Sequence, residues 1–426
     1  MAASHSVIIR DPLWNNIRVD ASARRLVDTP VFQRLRYVRQ LGLAYLVYPG
    51  ATHSRFEHAL GAYHLARTTL ALLHERGELA GVDEVECTVV WAAALLHDVG
   101  HYPFSHALEE IGVAHHEEVA RPLITTGVVA DVLRELAPDA PARVHAIICG
   151  RSDSPLQGLI SGSLDLDKIE YLKRDALMCG VPYGEIDVDR LLHSLVLLED
   201  PEDGRRRIGV LEKGLAALES LHIAKYHKYR HVYWHHAVRS ATAMYKRLVD
   251  DALRAGQVGA AALGGYTDEG LLHALEAPAP PLLGALRERR LYKRVLERPA
   301  AELADVGAEW IAGDRALTVA VEDALAAELG LRPGELLLDY PAKTQMLELD
   351  LPVQLRDGRV RRLTSAGWPA AMNLPRLSEE LYRSARWLRV FTAHRLAVPE
   401  RQLLDVLARP ADAVRAALAA GEPLLR

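Results

Sequence analysis

Cysteine, phenylalanine and long apolar runs are scarce in this 426-residue chain. The three cysteines, Cys87, Cys149 and Cys179, lie far apart with no C-x-x-C pair. That spacing excludes a disulfide framework and a zinc-finger pattern, and it fits a reducing, cytoplasmic setting. Phe occurs 4 times and aromatics make up 6% of the residues, while Ala and Leu fill much of the apolar half. This favours packed helices over sheets. The longest apolar run, Val89–Leu96, falls far short of the ~20 residues that cross a bilayer, and Met1–Arg10 has no signal-peptide shape. No membrane role is expected. A surplus of positive charge is missing too: 51 Lys and Arg against 56 Asp and Glu give a net charge of -5. No global field therefore draws polyanions, and an anionic ligand needs a local basic cluster. Nucleic-acid binding is disfavoured for the same reason, and no basic stripe with interleaved aromatics is present.

Histidine, by contrast, is plentiful, with 19 copies concentrated in His53–His116 and His222–His236. Periodicity places those clusters mostly on helices. A helix is predicted from Ser54 to about Arg76, with Ser54 and Glu57 as a capping box. Glu84–Val99 is apolar nearly all round and reads as a buried helix, ended by Gly100 and Pro103. Further helices are expected over 115–136, 141–150, 163–178, 188–198 and 212–254, with short extended pieces at Val7–Ile9 and Tyr45–Tyr48. The proline-rich Ala277–Pro281 separates an expected catalytic core, 1–276, from a C-terminal α+β region, 282–426. In that region helices are expected over Leu282–Arg294, Ala316–Leu329 and Leu377–Ala420. Alternation over Leu347–Leu363 with Asp357-Gly358 predicts a β-hairpin. The expected fold is mostly α, with a smaller α+β part carrying that hairpin.

His97-Asp98 closes the buried helix. An ionisable pair there is costly unless compensated, and a cation bound by neutral imidazole and carboxylate compensates well. A plain buried His–Asp hydrogen bond is the simpler alternative for such a dipeptide alone. His58 on the preceding helix, His101 and His106 just after, and Asp165 and Asp167 further on weigh against it. Two His and two Asp suit Mn, Fe, Co, Ni or Zn better than a cation wanting only oxygen.

The ordered strings Asp28-Thr-Pro-Val-Phe-Gln-Arg-Leu-Arg36, Gln40-Leu-Gly42, Pro49-Gly-Ala-Thr-His-Ser-Arg-Phe-Glu-His58, His97-Asp-Val-Gly-His-Tyr-Pro-Phe-Ser-His106, His116-Glu117, Leu166-Asp-Lys-Ile-Glu-Tyr-Leu-Lys-Arg-Asp175 and Tyr233-Trp-His235 resemble the HD superfamily. Within it they resemble the deoxynucleoside triphosphate triphosphohydrolases. The likeness covers about residues 5–295 and is looser beyond. It implies an HD-domain helical core with His58, His97, Asp98 and Asp167 holding one transition-metal ion, and Mg²⁺ accompanying the substrate phosphates. It implies proton transfer and phosphate contact by His101, His106, Glu109 and His116. His and carboxylate chemistry suits both tasks near neutral pH.

The same resemblance assigns Arg55, Lys168 and Lys225 to the phosphates. Lys225 departs from the family's usual arginine, exchanging a bidentate fork for a point charge. Gln40 and Asp175 match sugar-hydroxyl contacts, and Tyr171 and Tyr233 an aromatic pair against the sugar. His235 falls in the segment that faces the base. Asp28, Gln33 and Arg36 match one activating-nucleotide site, and Arg289 and Lys293 part of another, in homo-oligomers of two or four subunits. A solvated helix face is the commoner explanation of a basic run such as Arg289–Lys293. The expected reaction converts a dNTP and water to deoxynucleoside and inorganic triphosphate. Hydrolysis of another nucleotide (a monophosphate, a cyclic nucleotide or an alarmone) is the alternative within the same chemistry. A single-stranded nucleic-acid-binding protein and a silent nucleotide sensor are the readings from other classes.

Overall fold

The computed structural model describes residues 6–303, 308–341, 350–363 and 374–425. Two helices carry the first half. Arg55–Glu75 starts where the Glu57 carboxylate accepts the backbone N–H of Ser54 at 2.7 Å, the reciprocal half of a capping box. Glu84–Leu96 is capped by Asp83 and buries every residue from Val89 to Leu96. The two pack side by side, and Leu166–Cys179 lies against the first. Asp165 caps that third helix through the Lys168 N–H at 2.8 Å. The shared core draws on residues spread from Ile17 to Ala224. A lone antiparallel hairpin, β1 (Val7–Asp11) and β2 (Asn15–Val19), covers its edge.

Four strands, β3 (Leu195–Glu199), β4 (Arg206–Leu211), β7 (Leu351–Gln354) and β8 (Val360–Leu363), form a mixed sheet in that order. Strand β7 runs parallel to β4, so the predicted hairpin packs Leu351, Val353 and Leu363 into the N-terminal core. Packing thus crosses the Pro-rich boundary near 280. Asp357 and Gly358 lie at the turn as expected, whereas residues 347–349 of the predicted alternation fall outside the described residues. The second sheet, β5 (Lys293–Pro299), β9 (Trp387–Thr392) and β6 (Leu336–Asp339), is antiparallel. It packs with helices Arg315–Glu328, Glu400–Leu407 and Ala411–Ala419 into a separate cluster. The long helix His236–Arg254 bridges core and C-terminal part.

Several expectations fail at element level. Helix 188–198 is only Val188–Leu192, followed by β3, because Leu195–Leu198 pairs with β4. Tyr45–Tyr48 is not extended; Gly42–Leu46 is a 3₁₀ turn. Helix 282–294 stops at Arg287 and gives way to β5. The region 115–136 is two helices, broken at Gly127 with φ +65°. Leu377–Ala420 is not one helix: β9 interrupts it, with Val390 and Phe391 fully buried between β5 and β6. In 212–254 a π-helical segment, Tyr229–Tyr233, joins the helices Leu215–Lys228 and His236–Arg254. No helix among the described residues is long and apolar enough to cross a membrane.

Candidate active site

Three helices deliver four side chains to one point. His58 lies one turn into Arg55–Glu75, His97 and Asp98 follow the end of Glu84–Leu96, and Asp167 sits in the first turn of Leu166–Cys179. His58 Nε2 is 3.1 Å from His97 Nε2, 2.9 Å from Asp167 and 3.7 Å from Asp98. His97 Nε2 is 3.3 Å from Asp98 and 3.6 Å from Asp167. Each imidazole is oriented through its other nitrogen: His58 Nδ1 meets Glu170 at 2.6 Å, and His97 Nδ1 meets the Ala94 carbonyl at 2.8 Å. Both Nδ1 atoms therefore carry a proton, and the two Nε2 atoms face each other between two carboxylates.

Such an arrangement fits a divalent cation. Asp98 is 2% exposed, and its Oδ2 lies 2.7 Å from Arg55 without accepting an aligned hydrogen bond. A buried acceptor left in this way is costly, and a cation satisfies it. Protons are the competing occupant. Burial lowers the pKa of His58, but its hydrogen bonds to Asp167 and Glu170 outweigh burial and raise the value to about 10. Burial pushes Asp167 up, yet His58 and His97 hold it well below the carboxylate range. Metal binding here must displace a proton, as it does at other imidazole sites. A mixed N/O set again favours a first-row transition metal.

A second cluster stands beside the first. Glu109 holds two histidines at once, His106 Nδ1 at 2.9 Å and His116 Nδ1 at 2.6 Å. His101 stacks on His116 with ring centroids 3.7 Å apart, and its Nδ1 is 3.2 Å from Asp98. Burial and the neighbouring Arg55 charge push His101 well below the ordinary imidazole range, so it is neutral at pH 7. Burial likewise lowers His116, partly offset by Glu109. The member open to a ligand is His106, whose side chain is 61% exposed.

The chain reaches His106 through a strained turn. Phe104 and Ser105 both have positive φ, +56° and +65°, a conformation that costs of order 1–3 kcal/mol per residue. Asp268 restrains it by accepting the N–H groups of Phe104 at 2.8 Å and Arg39 at 3.0 Å. Ser105 Oγ donates to the Arg39 carbonyl at 2.7 Å and accepts from Arg55 Nε at 3.0 Å. Gly100 lets the His116 backbone approach, since a Cβ there would lie 2.1 Å from the His116 carbonyl.

A cavity of about 300 Å³ collects Gln40, Arg55, Lys168 and Tyr171 with His97, Asp98, Asp167 and the three histidines. The Gln40 side-chain amide oxygen, Oε1, is buried without a hydrogen-bond partner. Lys225 is not on this wall; it lines an adjoining cavity of about 480 Å³ that shares Ser161, Gly162 and Lys168 with the first. Lys225 is 8% exposed and makes no ion pair among the described residues. Burial, then repulsion from Lys168, lowers it to about 8.

Other expected substrate residues are engaged elsewhere. Asp175 is 1% exposed, and its oxygens are taken by His53 Nε2 at 2.8 Å and the Tyr233 hydroxyl at 2.5 Å. Tyr233 packs edge-on against Tyr229. His235 caps the following helix through the Ala237 N–H, and burial lowers its pKa to about 4. Gln33 bonds the Val27 carbonyl and accepts from Arg36, and Asp28 is paired with Arg24 on the surface. Arg289 and Lys293 line a separate cavity of about 240 Å³ together with Arg294 and Arg395. Sequence reasoning missed Glu170, Asp268 and Ser105. Only the i, i+3 spacing of Asp167 and Glu170 offered a signal.

Residues 55–152 match the HD domain family, and residues 186–369 match the HD associated region. The chain is an HD-domain protein. An uncharacterized protein of Methanocaldococcus jannaschii is 36% identical to this HD protein over 290 residues, 68% of the chain and 59% of the relative. The deoxynucleoside triphosphate triphosphohydrolase SAMHD1 of Bos taurus is 30% identical over 264 residues, covering 54% of the chain and 44% of that enzyme. The match thus spans 59% of the first relative's length and 44% of the second's. A hypothetical protein from Aquifex aeolicus superposes with a TM-score of 0.70 at 26% identity, over 95% of this chain and 99% of that one. HD domains bind a divalent metal and belong to a phosphohydrolase superfamily.

Proposed function

We propose that the protein is a dNTP triphosphohydrolase, converting a dNTP and water to deoxynucleoside and inorganic triphosphate. One observation supports it above the others. His97, Asp98 and Asp167 share one cavity with Lys168 and with an exposed imidazole held by a carboxylate, His106 on Glu109, and Lys225 lines the cavity adjoining it. A divalent ion held by His58, His97, Asp98 and Asp167 supplies Lewis-acid polarisation of the phosphoryl group and a more acidic water. Arg55 neutralises charge on the α-phosphate. Lys168 and Lys225 receive the outer phosphates, which Mg²⁺ accompanies.

Water adds to the α-phosphorus and gives up one proton to solvent, the bond from phosphorus to O5′ breaks, and O5′ takes a proton from His106, which solvent then restores. Glu109 orients that imidazole and steadies its charged form. Neutral His101 contacts the same phosphate, and His116 shares Glu109. Gln40 and Tyr171 take the sugar. An activating nucleotide at Asp28, Gln33 and Arg36 or at Arg289 and Lys293, an assembly of two or four subunits and a cytoplasmic location belong to the same proposal.

A second reading, an HD phosphohydrolase of another nucleotide, is favoured by two observations. Lys225 is a point charge rather than a fork, and the Asp175 oxygens are already engaged. One assay separates the readings. Purified protein with Mn²⁺ or Mg²⁺ is offered each dNTP alone, dNTP mixtures, then NTPs, dNMPs and guanosine polyphosphates. Deoxynucleoside with triphosphate is the expected product pair. Release of phosphate only from a monophosphate or alarmone would establish the second reading instead.

A further inference from the structure

Glu170 is the one carboxylate of the site region with no exposure at all among the described residues. It lies one turn after Asp167 and shares its helix face. A charge so buried is tolerable only when its oxygens are fully engaged. Oε2 meets His58 Nδ1 at 2.6 Å, while Oε1 accepts from Arg174 Nε at 2.7 Å and from the Trp14 indole at 2.9 Å. The contact with the first helix leaves no room for a side chain at Gly61, where a Cβ would sit 2.0 Å from Glu170 Oε1.

Two of these partners lead away from the metal ligands to the N-terminal hairpin. Trp14 occupies the turn between β1 and β2. Arg174 is buried and pairs with Asp11 at 3.0 Å. Asp11 ends β1, and its other oxygen accepts the N–H groups of Leu13 and Trp14, both at 2.8 Å. The hairpin turn, Arg174, Glu170 and His58 are thus one hydrogen-bonded series, running from a surface element that supplies no ligand to the ring that faces His97 and Asp167.

We infer that Glu170 is a positioning residue for the divalent-metal site and that the N-terminal hairpin, through Trp14 and the Asp11–Arg174 pair, sets the site's affinity. The inference rests on reading the four convergent side chains as metal ligands. The physical content is specific. Glu170 fixes the Nδ1–H tautomer and ring plane of His58 and raises the basicity of its Nε2. Partners of this kind change metal affinity by roughly 10- to 100-fold when removed. The hairpin keeps Glu170 from turning away, by donating to the oxygen that His58 does not use.

The test is direct titration of the full-length, chelator-stripped protein with Mn²⁺, read by calorimetry or by the free-ion electron paramagnetic signal, with no substrate present. The wild type is expected to bind one ion tightly. Glu170→Gln keeps the shape but cannot accept as an anion, and is expected to bind roughly 10- to 100-fold more weakly. Trp14→Phe keeps the apolar ring, leaves the Glu170 side chain in place, and is expected to weaken binding several-fold while melting as a cooperative folded protein. It guards against the case in which Glu170→Gln fails to fold. Affinities for Trp14→Phe and a folded Glu170→Gln within twofold of wild type would overturn the inference while leaving the metal site intact. A wild type that binds no ion would overturn the metal reading itself, and the inference with it.

Discussion

Arg239 makes a bidentate pair with Glu110, at 2.9 and 2.8 Å, and on its other edge bonds Asp339 of β6 at 2.6 Å. Glu110 is the neighbour of Glu109, the carboxylate that holds His106 and His116. Lys246 adds a further contact to Glu110 at 2.7 Å. The turn that carries His106 is therefore tied through one buried guanidinium to the C-terminal sheet. Removing one partner of a buried pair leaves the others uncompensated, at a cost of about 3–5 kcal/mol. Arg239→Ala is expected to lower urea-unfolding stability by that order. A loss below ~1 kcal/mol, typical of exposed pairs, would show that the cluster is solvated in solution.

Lys225 gives the account a pH signature. Its folded-state value is lowered to about 8 by burial and by Lys168, so the ammonium is present below that pH and lost as pH rises through it. Phosphate attraction disappears in the same window, and KM for a dNTP should climb above about pH 8 with kcat less affected. The unfolded chain holds the proton that the folded chain releases, so the same group adds stability over that rise. Arginine does not titrate there. Lys225→Arg should flatten the KM profile, and an unchanged rise in that variant would remove Lys225 from substrate binding.

The strained turn at Phe104 and Ser105 predicts a rate effect without a metal effect. Asp268 accepts the Phe104 N–H and is itself buried. Asp268→Ala should leave metal content at wild-type level and reduce kcat by one to two orders of magnitude, the scale on which ~1 Å of misplacement acts. Metal analysis beside steady-state kinetics checks both halves. Full kcat in a folded variant would mean that the turn holds its shape unaided.

Ligand and proton-transfer roles separate in the same way. His97→Ala and Asp167→Ala should lose both metal and turnover. His106→Ala should keep the metal and lose about 10²–10⁴ in rate. Turnover that survives chelation in either ligand variant would contradict the metal assignment, and an undiminished His106→Ala would remove that imidazole from the reaction.

How much of this was legible in the sequence follows from how local each signal is. The capping box at Ser54 and Glu57 and the apolar run before His97 are local, and both helices formed where expected. His58, His97, Asp98 and Asp167 come from three helices, and an ordered motif with chemistry in common linked them. The strands β3 and β9 were invisible because Leu195–Leu198 and Trp387–Thr392 have the apolar content of a helix. Only their partners at 206–211, 293–299 and 336–339 decide otherwise. The resemblance assigns Asp175 to the sugar, and nothing in its own neighbourhood reveals that His53 and Tyr233, 122 and 58 positions away, bond its oxygens. Glu170 and Asp268 were missed for the same reason: their partners are distant in sequence.

Running the reaction in ¹⁸O-enriched water shows directly which atom water attacks. With a dNTP as substrate, the products are separated and weighed by mass spectrometry. Attack at the α-phosphorus places one ¹⁸O in inorganic triphosphate and none in the deoxynucleoside, which is the predicted result. Label in released orthophosphate with dNDP as co-product, or label in the deoxynucleoside, would contradict it.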